Sequence, residues 1–371
     1  MSEKLLSEAF NEAMRSLDNS SITDKQIRNK IEFICRNQQN RAGVRLLLSC
    51  SLAKMDLPYI DIRKPYTEIG TNDSFSGRTY DEKYITPFIN KHDLPCNPTT
   101  AFLTPALRNR NILLSPDINL VGRPPKLYQY LLEILNDIYE ERISAKQLLV
   151  ETIRLLLAIR NEDRQRINSL LANLKASDRS MQLSSQRIVK LLAQHLSTKG
   201  SSRLPVLIVA AAYQAASEKL GEKILPLQVH TAADKQTGTI GDLEVTLIDN
   251  NSIITSYEMK MKTITKDDID IALNKITRAN NRIDNYIFIT TKEVNKEVAC
   301  YAESIYDLTN GIEIAILDCL GFIRHFLHLF HRLRTSFLDE YQNLILEDNA
   351  VGQHLKETFL TLRQAAEREL Y

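Results

Sequence analysis

The chain has 371 residues, and its 47 Lys and Arg against 46 Asp and Glu leave a formal charge of +1. With 43% hydrophobic and 25% charged residues, 11 Gly and 11 Pro, it can bury a large core in two or three domains, which excludes disordered, collagenous and low-complexity classes. No apolar run approaches the roughly 20 residues that span a bilayer, and five scattered cysteines without a CxxC pair argue against a disulfide framework or structural zinc.

The opening MSEKLLSEAFNEAMRSL has no continuous apolar core and does not read as a secretory signal. A soluble, cytoplasmic protein with no membrane partner is expected. Residues 1–55 carry apolar positions at helical spacing, through Ile27, Ile31 and Ile34 and then Val44, Leu47, Leu48 and Leu52. Between Pro58 and Pro124 lie 8 of the 11 prolines, which forbids long helices there. Such a segment is solvated loop unless it is shaped for binding. Helical patterning returns from Lys126 to about Lys199, as a bundle or bridging layer, with a dimerisation helix as the alternative. A turn is expected at residues 198–202.

Leu204–Leu220 reads as one helix stopped by Gly221. Three strand-like runs follow, Ile224–Val229, Asp242–Ile248 and Ile253–Met261. Then come a helix (Thr265–Ala279), a short buried strand (Asn285–Thr290), a helix (Glu293–Leu308), a strand (Ile312–Leu317) and two closing helices, about Gly321–Leu346 and Val351–Leu370. This order predicts an α/β fold, mixed α+β overall, with a mixed central sheet flanked by helices. Three regions are expected: 1–125, helical and proline-rich; 126–200, helical and bridging; 201–371, the sheet domain with its C-terminal helices. Residues 1–200 carry 29 basic and 22 acidic side chains, a net +7, and residues 201–371 carry 18 and 24, a net −6. The basic half suits a polyanion and the acidic half a cation.

The most informative segment is GDLEVTLIDNNSIITSYEMKMK, residues 241–262. Alternation puts Asp242, Glu244 and Thr246 on one face of the first strand, and Glu258, Lys260 and Lys262 on one face of the second. Residues 249–252, Asp-Asn-Asn-Ser, read as a hairpin turn. Pairing the strands can bring Asp242 and Glu258 together at one end of the sheet with Lys260 beside them. Two close carboxylates form a hard oxygen site suited to Mg²⁺. With an ammonium to orient water, these are the parts of metal-assisted phosphodiester hydrolysis. An ExK on a solvated antiparallel face is common, so the surrounding order of elements carries the argument.

That order, helix, three-strand meander, helix, strand, resembles the PD-(D/E)XK nuclease superfamily. The resemblance makes Asp242 the first acid, Glu258 the second, Lys260 the lysine and Glu218, near the end of the preceding helix, the extra acid many members use. It implies Mg²⁺ held by Asp242, Glu258 and the carbonyl of Met259. The family's proline before the first acid is absent; Gly241 stands there, which leaves Glu244 and Asp234 as rival first acids. The proline-rich stretches IRKPYTEIG, FSGRTYDEKYITPFI, LPCNPTTAFLTPALRN and INLVGRPPKLY resemble restriction endonucleases of the SacI type, a likeness running from about Arg41 to the end. It implies a type II enzyme that cuts double-stranded DNA at a short, usually palindromic site and leaves 5′-phosphate ends. A homodimer and a cognate DNA methyltransferase in the same defence system go with that reading. Arg63, Lys64, Arg78, Asn97, Arg108, Arg110 and Arg123 are the candidate DNA contacts, with Lys262 near the cut phosphate; for any one arginine, a salt bridge to a nearby acid or a turn cap is the alternative. The alternatives are a structure-specific repair or recombination nuclease on the same core, and a non-catalytic DNA-binding protein with a degenerate one.

Three other signals carry less. Pro95-Cys96 is similar to the nucleophile dipeptide of cytosine methyltransferases, but no glycine-rich cofactor loop accompanies it. His325, His328 and His331 recur every three residues without acid partners and read as a polar stripe. His230 is placed near the substrate groove.

Overall fold

The computed structural model describes residues 1–37, 40–97, 99–176, 182–227, 240–250, 252–279 and 283–368. The chain forms two compact units, Met1–Gln165 and Arg166–Tyr371. Both boundaries therefore differ from those expected at 125/126 and 200/201. The division falls inside a single helix of 32 residues, Ala145–Ala176, which a continuous heptad-like pattern does not reveal. None of the described helices is long and apolar enough to cross a membrane.

The first unit is built around helix α3 (Ala42–Asp56), in which every residue from Ala42 to Ala53 is buried. Helices α1 (Ser2–Arg15) and α2 (Lys25–Arg36) lay Leu6, Ala9, Ala13, Ile27, Ile31 and Ile34 into the same core. Asp24 caps α2 by accepting from the amides of Gln26 (2.7 Å) and Ile27 (3.2 Å). The proline-rich segment holds only short helices, among them α4 (Gly77–Tyr80) and α5 (Thr86–His92), joined by a π-helical turn, Asp81–Ile85. Helix α6 (Pro125–Tyr139) and the first half of α7 (Ala145–Ala176) complete the core.

A buried ion pair ties the loop-rich layer to α3. Arg45 and Asp81 are 1% and 0% exposed. Arg45 Nε donates to Asp81 Oδ1 at 2.8 Å, and its Nη1 donates to the carbonyl of Asn97 at 2.7 Å. Another guanidinium nitrogen reaches the hydroxyl of Thr86. The second carboxylate oxygen of Asp81 accepts from the Thr100 hydroxyl (2.6 Å) and the Ala101 amide (2.9 Å). One guanidinium and one carboxylate thus hold three stretches of a segment that has little regular structure of its own.

In the second unit, α8 (Ser185–Leu196) and α9 (Leu204–Leu220) precede a five-stranded sheet. Gly221, at φ +70°, ends α9 in the left-handed region where the expected stop lay. The strands are β1 (Glu222–Ile224), β2 (Leu243–Leu247), β3 (Ile253–Lys260), β4 (Asn285–Thr290) and β5 (Glu313–Asp318), in spatial order β1-β2-β3-β4-β5. The first two pairings are antiparallel and the last two parallel, with α10 (Lys266–Ala279) and α11 (Lys296–Thr309) as the crossovers. A mixed α/β sheet flanked by helices is what the pattern predicted. The expected helix 321–346 is broken, into α12 (Cys319–Leu329) and α13 (Arg334–Glu347), by a 3₁₀ turn at His331–Leu333. Helix α14 (Gln353–Arg368) follows.

Both faces of the sheet are covered, as parallel strands require. Leu243, Val245, Tyr257, Ile287 and Ile289 pack with α8, α9 and α12 to α14. Tyr286, Phe288 and Ile314 pack with Ile269, Ala272 and Ile276 of α10 and with Val298, Ala302 and Ile305 of α11. Under the first face lies His195, fully buried, with Nε2 3.0 Å from the carbonyl of Leu355 and Nδ1 3.0 Å from the Tyr341 hydroxyl. A carbonyl only accepts, so Nε2 carries the proton and Nδ1 accepts from Tyr341. Burial pushes this imidazole down to about 4.

Removing one partner of the Arg45–Asp81 pair leaves an uncompensated buried charge. Asp81→Ala is expected to destabilise the first unit by about 3–5 kcal/mol, read as an earlier urea transition. His195 gives the second unit a pH dependence. Between about 4 and the ordinary 6.5 the unfolded chain binds a proton that the folded chain does not. Stability is therefore intact above about 6.5 and falls as pH drops through that window, by about 3 kcal/mol at most. The urea midpoint should fall more steeply over this range in the native chain than in His195→Gln, whose side chain does not titrate.

Candidate active site

Strand pairing decides which side chains meet. The register pairs Leu243 with Tyr257 and Glu244 with Ser256. One step further toward the end of the sheet, Asp242 stands opposite Glu258. The backbone confirms the approach there: the Asp242 amide donates to the Tyr257 carbonyl at 2.8 Å, and the Met259 amide donates to Asp242 Oδ2 at 2.7 Å. Gly241 makes the approach possible, because a Cβ at this position would lie 2.5 Å from the Tyr257 carbonyl oxygen and 2.4 Å from Ser256 Oγ. Any larger residue, proline included, would push β2 away from β3.

Glu258 lies at the centre of a charged cluster on the face of the sheet that α10 covers. Its Oε1 is 3.0 Å from Lys260 Nζ, and its Oε2 is 3.2 Å from Lys275 Nζ. The hydroxyl of Tyr286, a fully buried residue of β4, lies 2.9 Å from Oε2 and 3.3 Å from the Ile240 carbonyl. Its single proton goes to the nearer, charged acceptor. Lys260 also approaches Asp268 Oδ1, at 3.4 Å. Asp268 is fixed in turn by the amide (3.0 Å) and hydroxyl (2.8 Å) of Thr265. Burial lowers the affinity of Lys260 for its proton, but Glu258 and Asp268 outweigh that and hold the ammonium above its ordinary value. For Asp268, burial favours the neutral acid, and Thr265 and Lys260 reverse the balance so that its carboxyl sits below the usual range. An ammonium in this setting donates three hydrogen bonds and accepts none. It can orient water and stabilise negative charge.

Asp242 and Glu258 thus face each other across β2 and β3, Lys260 pairs with Glu258, and the Met259 amide donates to Asp242. Glu218 stands apart. It is exposed at the last turn of α9, beside β1, whose Glu222 pairs with Leu247 at the opposite end of β2 from Asp242. Five residues of strand separate the two ends, roughly 17 Å. Of the rival first acids, Glu244 is buried one pair deeper into the sheet, where its Oε1 accepts from the Ile240 amide at 2.8 Å and burial raises its pKa. Asp234 lies outside the described residues, as does His230. Lys262 is exposed just beyond β3.

Lys275, Asp268 and Tyr286 were not anticipated. Asp268 and Lys275 are seven residues apart and so share one face of α10, a spacing visible in the sequence. Tyr286 is the hydroxyl-bearing aromatic in the otherwise apolar centre of β4, NYIFIT.

Oxygen donors alone make up the pair of acids and the Met259 carbonyl. Among the described residues, no group of three or more His, Cys, Asp or Glu converges as a metal cage. That composition fits Mg²⁺, which keeps several waters and takes one or two carboxylates plus substrate phosphate. At the carboxyl ends of β3, β4 and β5, a cavity of about 280 Å³ is lined by Leu196, Ser197, Met261, Thr291, Lys292, Asp318 and Leu320, none of them a member of the charged cluster. Carboxyl ends of parallel strands are the usual ligand side of an open α/β sheet.

The candidate DNA contacts of the first unit divide. Arg63 is spent internally: its guanidinium grips Asp61 at 2.9 and 3.1 Å, donates to Asn136 Oδ1 at 3.0 Å and lies 3.2 Å from the centre of the Tyr139 ring. Lys64 pairs with both oxygens of Asp73, at 2.7 and 2.9 Å. Both charges are thus engaged by neighbouring acids. Asn97 contributes its carbonyl to Arg45, and Arg110 Nε donates to the Ala106 carbonyl at 3.0 Å. Arg78 is exposed while paired with Glu82 at 2.8 Å. Arg108 and Arg123 are exposed. Of the signals set aside, Cys96 is pushed by burial up to about 12, the reverse of an activated thiolate, and His325, His328 and His331 are exposed.

No curated protein matches the chain. Residues 180–291 match the family described as the SacI restriction endonuclease C-terminal domain. The matched stretch runs from just before α8 through β4 and contains Asp242, Glu258, Lys260, Asp268, Lys275 and Tyr286, so this part of the second unit is similar to the C-terminal domain of SacI-type restriction endonucleases.

Proposed function

We propose that this protein is a type II restriction endonuclease on a PD-(D/E)XK core, hydrolysing both strands of DNA at a short palindromic sequence with Mg²⁺ and leaving 5′-phosphate ends. The observation that carries the reading is the opposition of Asp242 and Glu258 across β2 and β3, with Lys260 two residues further along β3, inside the segment that matches the family. Bound Mg²⁺ would supply a Lewis acid to the scissile phosphate and stabilise the departing oxygen.

The two carboxylates and the Met259 carbonyl would hold that ion. Lys260 donates to the attacking water and fixes it on the phosphate. As an ammonium, it orients the water and does not take its proton. Lys262, exposed at the end of β3, is placed to meet an adjacent phosphate. Glu218 has no part in this assignment. A palindromic site implies two copies related by a two-fold axis, and a partner methyltransferase protecting host DNA completes a cytoplasmic defence system. Exposed Arg108 and Arg123, with Arg78, are the first unit's proposed duplex contacts.

Asp242→Ala and Lys260→Ala should each slow cleavage of plasmid DNA in Mg²⁺ buffer by at least about a hundredfold, while gel-shift affinity for DNA stays near that of the native chain. Discrete fragments from the native chain support sequence-specific cutting. A smear, or cutting confined to branched junctions, would instead identify a repair or recombination nuclease. For the first unit, neutralising Arg108 and Arg123 together should reduce the slope of log affinity against log salt by about 2, one condensed ion per lost phosphate contact. An unchanged slope removes these two residues from the interface.

A further inference from the structure

Ile240 is held before β2 begins. It is buried, and the β2–β3 ladder starts only at Leu243, so its amide has no strand to bond to. A buried N–H needs a partner, and this one donates to Glu244 Oε1 at 2.8 Å. Glu244 is itself only 7% exposed, a setting in which a carboxylate is retained against the cost of desolvation. The other polar side chains of this face do not share its bond. The hydroxyls of Ser256, opposite Glu244, and of Thr246, two residues along β2, are buried and bond to nothing among the described residues.

The Glu244–Ile240 bond closes residues 240–244 into a ring with Asp242 at its middle. Inside the ring the chain has little slack. Gly241 is pressed against Ser256 Oγ and the Tyr257 carbonyl, and the Asp242 amide donates to that same carbonyl at 2.8 Å. Asp242 stands one residue outside the first paired position, where the end of a ladder opens most readily. We infer that Glu244 is a positioning residue for Asp242: through the Ile240 amide it pins the chain on the near side of Asp242 and holds that carboxylate opposite Glu258 before a metal ion arrives. The inference rests on the reading of Asp242 and Glu258 as metal ligands and adds what presets their separation. Glu244 itself touches neither metal nor phosphate.

The acceptor oxygen, and not the charge, is what the ring requires. Titration of the full chain with Mn²⁺ alone, by isothermal calorimetry, should show Glu244→Met binding roughly three- to tenfold more weakly than the native chain, the ordering of one side chain. Glu244→Gln keeps an oxygen of the same reach and should restore near-native affinity. Glu244→Asp, a methylene short of the Ile240 amide, should bind as weakly as Glu244→Met. Ser256→Ala, which removes an unbonded hydroxyl from the same face, should bind as the native chain does, and Asp242→Asn should abolish binding. Urea midpoints of the same samples separate the two roles of Glu244, because support of the fold alone lowers the midpoint without moving the affinity of the folded chain. Native affinity in Glu244→Met overturns the inference, as it does in Glu244→Asp should Glu244→Met not fold. Weak binding by Glu244→Gln overturns it too, and a loss as deep as that of Asp242→Asn makes Glu244 a ligand instead. In each of these outcomes Asp242→Asn still abolishes binding and the metal site stands. Native binding that is absent, or indifferent to Asp242→Asn, overturns both readings.

Discussion

The two-residue alternation of β2, β3 and β4 is the constraint on which the second unit turns. Because both faces of the sheet are covered, the strands carry apolar side chains on both, and a polar group is tolerated only where it finds partners. Leu243, Val245, Tyr257, Ile287 and Ile289 fill one side. Asp242, Glu258 and Tyr286 fall on the other by parity alone. A shift of one residue in the β2–β3 pairing would bury the carboxylates among the helices α8, α9 and α13 and turn Tyr257 toward α10. Hydrophobic burial along the whole strand thereby fixes a register that no interaction within the charged cluster is strong enough to set.

The helix α10 then solves a problem the alternation creates. Carboxylates brought together at the edge of a core repel one another and resist desolvation. Placing Asp268 and Lys275 seven residues apart on one helical face answers Lys260 with an acid and Glu258 with a base, so three carboxylates face two ammoniums. The site is left with a modest excess of negative charge. That excess suits a divalent cation without making the metal-free fold untenable.

Much of this was legible in residues 201–371 because strands and helices there are short, alternating and punctuated: Gly221 stops α9, Asp249–Ser252 turns the hairpin, and the ExK repeats with period two. What the sequence could not disclose were properties of distance. Glu218 looked like part of the acid set because it is near β1 in sequence, but an antiparallel hairpin returns the chain to the far end of β2. Arg63 and Lys64 could be read from the sequence as DNA contacts or as partners of nearby acids, and only the fold shows that Asp61 and Asp73 take them. The unit boundary was invisible because it lies within a helix, where the apolar pattern does not break.

That boundary also changes what the net charge means. Divided at residue 200, the chain reads as a basic half and an acidic half. Divided where the two units actually part, Met1–Gln165 carries 23 basic and 21 acidic side chains, a net +2, and the remainder carries 24 and 25, a net −1. Most of the basic excess belongs to residues 166–200, with 6 basic side chains against 1 acidic, and these precede the sheet within the second unit. The unit with the acids of the proposed metal site therefore carries its own cationic stretch. Attraction for a polyanion need not be delegated to the proline-rich unit, whose proposed contribution lies in a few exposed arginines and not in bulk charge.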